Sequence, residues 1–277
     1  MAQGTKRGRG SPKLEEGKDI FEGVVISDEI AKKLETMQRD TARVELAIER
    51  DGQKKLMPIF EKRRELLKSI PNFWSVALIR HSLLSFQLAI GADQDALSYL
   101  EDLWVEKDPR ETRCFKIDFY FKENPYFANK VLTKEFKFVP PPADADDKPD
   151  ENGITNANID FSWEKDVKIG ATTIDWKNAE KHLTKLYPRV MDTEEDDQIS
   201  EPGSFFHFFE QETDPMDVGV TIANDIFSEA IEYFLGTASG VERDLDDDDE
   251  DEDDEDDDDD DAEEIDLEKP QSKKRRV

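Results

Sequence analysis

The sequence predicts an α+β protein: a long kinked helix that needs a partner, then a domain of antiparallel strands and helices, then an acidic tail outside the core. Three observations predict it. Apolar residues follow a heptad between Ser27 and Ser69, the hydrophobic period changes to two beyond Leu103, and negative charge piles up after Arg243. The expected segments are a flexible basic arm at 1–26, a dimerisation helix at 27–69, the α+β domain at 70–240 and a disordered tail at 241–277.

The helix begins at Ser27, a suitable N-cap, with Asp28 and Glu29 in its first turn. Ile30, Leu34, Met37, Thr41, Val44 and Ile48 step alternately by four and three, which is a coiled-coil seam. The phase slips near Gly52 and Pro58, then resumes with Leu56, Ile59, Arg63 and Leu66, while Phe60 and Leu67 widen the stripe. Proline removes a backbone donor, so a kink is expected there. About 42 residues would span about 63 Å. One amphipathic helix cannot bury its own seam. The partner is either a second copy or a second helix of the same chain. No other segment matches it in length, which favours a homodimer joined through Ile30, Leu34, Met37, Val44, Ile48, Leu56, Ile59 and Phe60.

Ile70-Pro71-Asn72-Phe73-Trp74 stops the helix and starts a core. Residues 74–90 read as one buried helix and Asp93–Leu100 as a short one. Leu103 and Val105 open a strand. Phe115, Ile117, Phe119 and Phe121 alternate with Lys116, Asp118 and Tyr120, and Leu132, Phe136 and Phe138 alternate with Thr133, Glu135 and Lys137, around a turn at Glu123–Tyr126. That is a hairpin with one face on a core. Val139–Asn156 reads as a loop, Ile159–Trp163 and Thr172–Trp176 as strand-like pieces, and Thr193–Gly203 as an acidic loop. Ser204–Phe209 is an aromatic cluster. Met216–Leu235 is a last amphipathic helix, with Val218, Ile222, Ile226, Phe227, Ala230 and Phe234 inward.

The net charge is −30, from 68 acidic and 38 basic residues. Residues 244–268 hold 21 of the acids and no base, yet the first 243 residues still carry −14. Such a chain repels phosphate and anionic lipid and attracts cationic partners. It therefore argues against a membrane partner and against direct sequence-specific nucleic-acid binding. A single cysteine, Cys114, permits no internal disulfide and reads as a buried residue. His81, His182 and His207 stand far apart, without metal-ligand spacing, and there is no phosphate loop, nucleophile elbow or calcium loop. No catalytic residue, metal or cofactor is expected. A weak divalent-cation buffer on the aspartate run is a remaining alternative. Lys273, Lys274, Arg275 and Arg276 read either as a nuclear import segment or as a basic patch folded onto the acidic run.

Several stretches carry a family resemblance: Ile70–Trp74 (IPNFW), Asp118–Phe121 (DFYF), Glu123–Phe127 (ENPYF), Asn129–Phe136 (NKVLTKEF), Ile174–Lys177 (IDWK) and Ser204–Phe209 (SFFHFF). In order and spacing the chain resembles the nucleosome assembly protein family, most closely its SET (template-activating factor) branch. The resemblance implies a headphone-like dimer, with long helices paired antiparallel and an α+β "earmuff" at each end. It implies a non-enzymatic histone chaperone that is nuclear, with passage through the cytoplasm, and promotes nucleosome assembly and disassembly. Histones would lie beneath the earmuffs, where Glu210, Glu212, Asp214, Asp217, Asp225, Glu229 and Glu232 are the candidates. The tail, including Asp246, Asp247, Asp248, Asp249, Glu250 and Asp251, would be a second histone site. The alternative is a regulatory subunit or inhibitor of a nuclear enzyme, a protein phosphatase or a histone acetyltransferase, as SET-like relatives suggest. Residues 139–173 are longer than the family's usual connection.

Overall fold

A computed structural model describes residues 26–142, 147–191 and 199–238. The basic arm, the acidic run with Asp246–Asp251 and the Lys273–Arg276 segment lie outside the described residues, apart from Ile26 at the arm's end.

Helix α1 runs without a break over Asp28–Leu67, 40 residues. Ser27 caps it, its Oγ accepting from the Ile30 amide at 3.4 Å. Pro58 lies inside the helix, which continues on both sides of it. Proline there costs one ladder bond, close to the end of the helix that Phe60 and Leu67 anchor by packing. Phe60 and Leu67 point into the domain and are buried.

Three short helices follow: α2 (Phe73–Ile79), α3 (Ser82–Gln87) and α4 (Gly91–Leu97). The single helix expected over 74–90 is two, because His81 takes an extended conformation (φ −82°, ψ 129°) between them. The short helix ends at Leu97, and Leu100 already belongs to a strand. Strands β1 (Leu100–Lys107), β2 (Phe115–Phe121) and β3 (Val131–Phe138) form an antiparallel meander. Register places Leu103 opposite Phe119 and Phe119 opposite Leu132, so the apolar sets share one face.

The connection after β3 departs from expectation. Ile159–Trp163 is not strand. Asn156–Ile159 is a helical turn, α5, and Trp163–Asp166 another, α6. A capping box nucleates α5: the Thr155 hydroxyl accepts from the Asn158 amide and the Asn158 side chain accepts from the Thr155 amide. The fourth strand, β4 (Val167–Ile169), pairs with β3. Thr172–Trp176 contributes only an isolated bridge between Trp176 and Phe127. Beyond a 3-10 turn at Ala179–Lys181 come α7 (Leu183–Leu186) and a small ladder of β5 (Val190–Met191) with β6 (Ile199–Glu201). Part of the expected 193–203 loop is thus a strand.

The aromatic cluster ends in α8 (His207–Glu210) and packs on the sheet, Phe209 lying 5.0 Å from Phe119 edge to face. The last helix is interrupted. Helix α9 (Val218–Thr221) widens into π-helical turns at Ile222–Ile226, the chain turns at 227–229, and α10 (Ala230–Leu235) resumes. Val218, Ile222, Ile226, Phe227 and Ala230 are buried as expected, and Phe234 packs against the core from its edge.

Candidate functional site

The seven candidate carboxylates divide by environment. Glu210 is held inside the fold: it accepts from Trp176 Nε1 at 3.0 Å and from Thr184 Oγ1 at 2.8 Å. Asp214 caps α9, accepting from the Val218 and Gly219 amides at 3.1 and 2.7 Å, and burial pushes its carboxyl above the ordinary range. These two hold local structure. Glu212, Asp217, Asp225, Glu229 and Glu232 are exposed.

The interrupted helix arranges the last three. The Glu229 amide donates to the Asp225 carbonyl at 3.0 Å, so the two side chains stand one turn apart despite the π-helical insertion. Both lie beside Tyr233, whose phenol is pushed up first by burial and then by these charges. Glu232 turns the other way, toward Arg63, where its charge opposes the burial that lowers the guanidinium to about 10. Asn224, next to Asp225, accepts from Lys107 Nζ at 2.5 Å. The structure therefore brings Asp225 and Glu229 together and sets Glu232 on the side of α1.

The second feature is the seam of α1. Met37, Val44 and Ile48 are 65%, 59% and 66% exposed, and Ile30, Leu34, Leu56, Ile59 and Leu66 are exposed as well. Phe60 does not belong with them. It is buried against Phe227, with ring centroids 5.2 Å apart, because the domain claims that face of the helix. These residues form one continuous apolar stripe on an otherwise solvated helix.

Several charged residues that hold the domain were not singled out in the sequence. Lys134 is fully buried, donating to the carbonyls of Gln211 and Thr213 at 2.5 and 3.3 Å, and burial lowers its pKa to about 8. Arg64 pairs with the buried Asp102 at 2.6 Å and lies over Trp104. Asp93 is fully buried, accepting from Ser204 Oγ at 2.7 Å and the Phe205 amide at 2.8 Å. Asp93 opens the short helix read from the sequence, and nothing in that stretch signals its partners in the aromatic segment. The histidines stay apart: His81 packs near Tyr233, His182 stacks on Trp176, and His207 meets the Tyr187 carbonyl. Cys114 is buried, its thiol pushed up to about 12 by burial. Among the described residues no group of three His, Cys, Asp or Glu is placed to hold a metal ion.

An acidic α+β domain rooted on a long helix with an exposed apolar seam defines a class of scaffold protein. Residues 66–270 match the family model for nucleosome assembly protein (NAP). The chain is 31% identical over 210 residues to protein SET of Drosophila melanogaster, covering 75% of this chain and 71% of that one. It is 31% identical over 237 residues to protein SETSIP of Homo sapiens, covering 83% and 71%. The crystal structure of Ccp1 matches with a TM-score of 0.55 at 25% identity, over 76% of this chain and 95% of that one. The chain belongs to the nucleosome assembly protein family, in its SET branch.

Proposed function

We propose that this protein is a nuclear histone chaperone: a homodimer that binds core histones on acidic surface and promotes nucleosome assembly and disassembly. One observation carries the reading. In a member of the nucleosome assembly protein family, the part of the chain before the acidic run keeps a net charge of −14, and its last helical segment presents Asp225, Glu229 and Glu232 to solvent.

Histones bind DNA by neutralising phosphates and releasing counterions. Carboxylates compete for the same lysines and arginines, with bidentate geometry available to arginine. Each exposed pair contributes only about 0–1 kcal/mol, so many weak pairs combine affinity with fast exchange. The acidic run at 244–268 raises the local concentration of histone beside the domain. Lys273, Lys274, Arg275 and Arg276 direct import. The bare seam of α1 joins two copies, so that two acidic domains act on one histone complex.

The experiment is histone binding over a salt series, with and without residues 244–268. Binding that persists in the truncated protein, weaker and with a shallower salt slope, supports both sites. Complete loss removes the domain as a histone site, and no change removes the tail.

A further inference from the structure

The segment 147–160 is shaped by its own acids. Asp147 accepts from the amides of Asn156 and Ala157 at 2.6 and 2.8 Å, and Asp150 from those of Asn152 and Ile154 at 2.8 and 2.9 Å. So folded, it turns a row of acceptors toward α1, and three arginines meet them. Arg39 grips the Asp160 carboxylate with two bonds, at 2.5 and 3.0 Å. Arg43 donates to Asn156 Oδ1 at 2.5 Å, the Ile154 carbonyl at 3.2 Å and Asp150 at 3.4 Å. Arg50 donates to the Gly153 carbonyl at 3.1 Å and the Arg110 carbonyl at 2.5 Å.

Positions 39, 43, 46 and 50 step by four, three and four, so they share one helix face. Leu46 is the only buried residue of α1 before Phe60. Met37 and Arg39 are two positions apart, roughly 200° around the helix. The arginine face is therefore the back of the bare seam. On its far side the segment is tied to the turn between β1 and β2: Arg113, paired with buried Glu111 at 2.6 Å, donates to the Asn158 carbonyl at 2.6 Å.

Helix α1 thus meets its domain twice. One attachment is the root at Phe60, Arg63 and Arg64. The other is this strap, and Arg39 and Arg64 stand about 37 Å apart along the axis. The strap's Ile154 is fully buried and Leu46 is buried on the same face of α1 as the arginines, while a cavity of about 1050 Å³ opens beside it, lined by Arg50, Lys54, Arg110, Pro141, Asn152 and Lys165.

We propose that residues 147–160 are a brace that locks the direction of α1 against its own domain. Two attachments along a rod fix its angle where one would leave a hinge. In the homodimer proposed above, on which this inference rests, the brace fixes how the two acidic domains face each other. It leaves the seam free and closes the back of the helix to further copies. Arg39, Arg43 and Arg50 are positioning residues.

The test replaces all three (Arg39→Ala, Arg43→Ala, Arg50→Ala) in the full chain. Hydrogen exchange is read at the amides of 152–157, mass by light scattering, and the distance between domains by spin labels at Lys122→Cys. The expected result is at least tenfold faster exchange in the strap, an unchanged dimer mass and a broadened distance distribution. Arg39→Asp combined with Asp160→Arg should recover protection that each loses alone. Unchanged exchange and distances in the triple variant would overturn the brace, as would loss of the dimer, which would put the arginine face in the dimer contact. A monomeric unaltered protein would end the dimer reading, while the exchange experiment would still decide the brace.

Discussion

Arg63 donates to the Phe227 carbonyl at 2.5 Å while its guanidinium lies 4.9 Å from the centre of the Phe227 ring. A second bond, at 3.0 Å, reaches the Ser228 carbonyl. These carbonyls fall where the π-helical turns end and the chain leaves helical geometry before α10. Peptide oxygens at such a break lack ladder partners. Arg63 supplies donors from α1 and so ties the root of the long helix to the acidic segment. Arg63→Ala should lower unfolding free energy by about 2–3 kcal/mol, the cost of unpartnered carbonyls and lost stacking. Arg63→Lys should recover only part, since an ammonium has no planar fork. Denaturant titration measures both.

The exposed seam and the buried Phe60 make opposite predictions. Met37→Asp with Ile48→Asp places two charges on the bare stripe. The dimer constant should weaken by at least a hundredfold in sedimentation, with the thermal transition of the α+β domain kept, because neither side chain touches the core. Phe60→Ala should do the reverse. It removes a ring packed on Phe227 and costs about 3–5 kcal/mol of domain stability, with dimer mass unchanged in the protein that remains folded.

Asp93 predicts a pH dependence. Burial pushes its carboxyl up to about 6, against the bonds from Ser204 and Phe205 that favour the anion. An unfolded aspartate titrates near about 3.9. Between those values the folded state holds a proton that the unfolded state has released. The contribution is fully present below the unfolded pKa and lost as pH rises through about 6. Asp93→Asn carries no such charge. The stability difference between the two proteins should therefore shift against the unaltered one, by on the order of 3 kcal/mol, from pH 4 to pH 7.5. Denaturant melts across that range measure it, and a flat difference would show that Asp93 does not titrate in the fold.

What the sequence revealed about the fold was local. The steps from Ile30 to Ile48 made the seam visible, and alternation from Phe115 to Phe121 made the strand visible, because each pattern is written in neighbouring residues. The errors arose where partners are distant or backbone geometry is unusual. Ile159–Trp163 has strand-like composition, yet the capping box of Thr155 and Asn158 commits the chain to a helical turn first. Met216–Leu235 has helical periodicity throughout, but a π-helical insertion leaves no mark on it. Lys134 occupies an inward position of β3, and its acceptor at Gln211 lies 77 residues further on. The strap's arginines carry no local sign of their role, because their partners within the strap lie more than a hundred positions away. Gly219 is similar: a β-carbon there would overlap the Phe136 ring, a constraint with no local sign. Of the candidate carboxylates, charge marked all seven alike, and only the fold separates Glu210 and Asp214 from the exposed ones.

That separation gives the last prediction. Asp214→Ala removes the acceptor for two amides at the start of α9 and should cost about 1–2 kcal/mol of stability. Glu210→Ala leaves Trp176 Nε1 and Thr184 Oγ1 without their partner and should cost about 1–3 kcal/mol. Neither change should alter histone affinity once the protein is kept below its melting range. The triple change Asp225→Asn, Glu229→Gln and Glu232→Gln should do the opposite. These side chains are exposed, so stability should move by less than about 0.5 kcal/mol. Histone affinity should fall several-fold at low salt, and the gap should close as salt rises, because screening removes what the substitutions removed. Titration of each variant, lacking residues 244–268, with purified histone pairs at three ionic strengths isolates the domain's share. If the hydrogen-bonded pair changes affinity and the exposed trio does not, histones are held on another face of the domain.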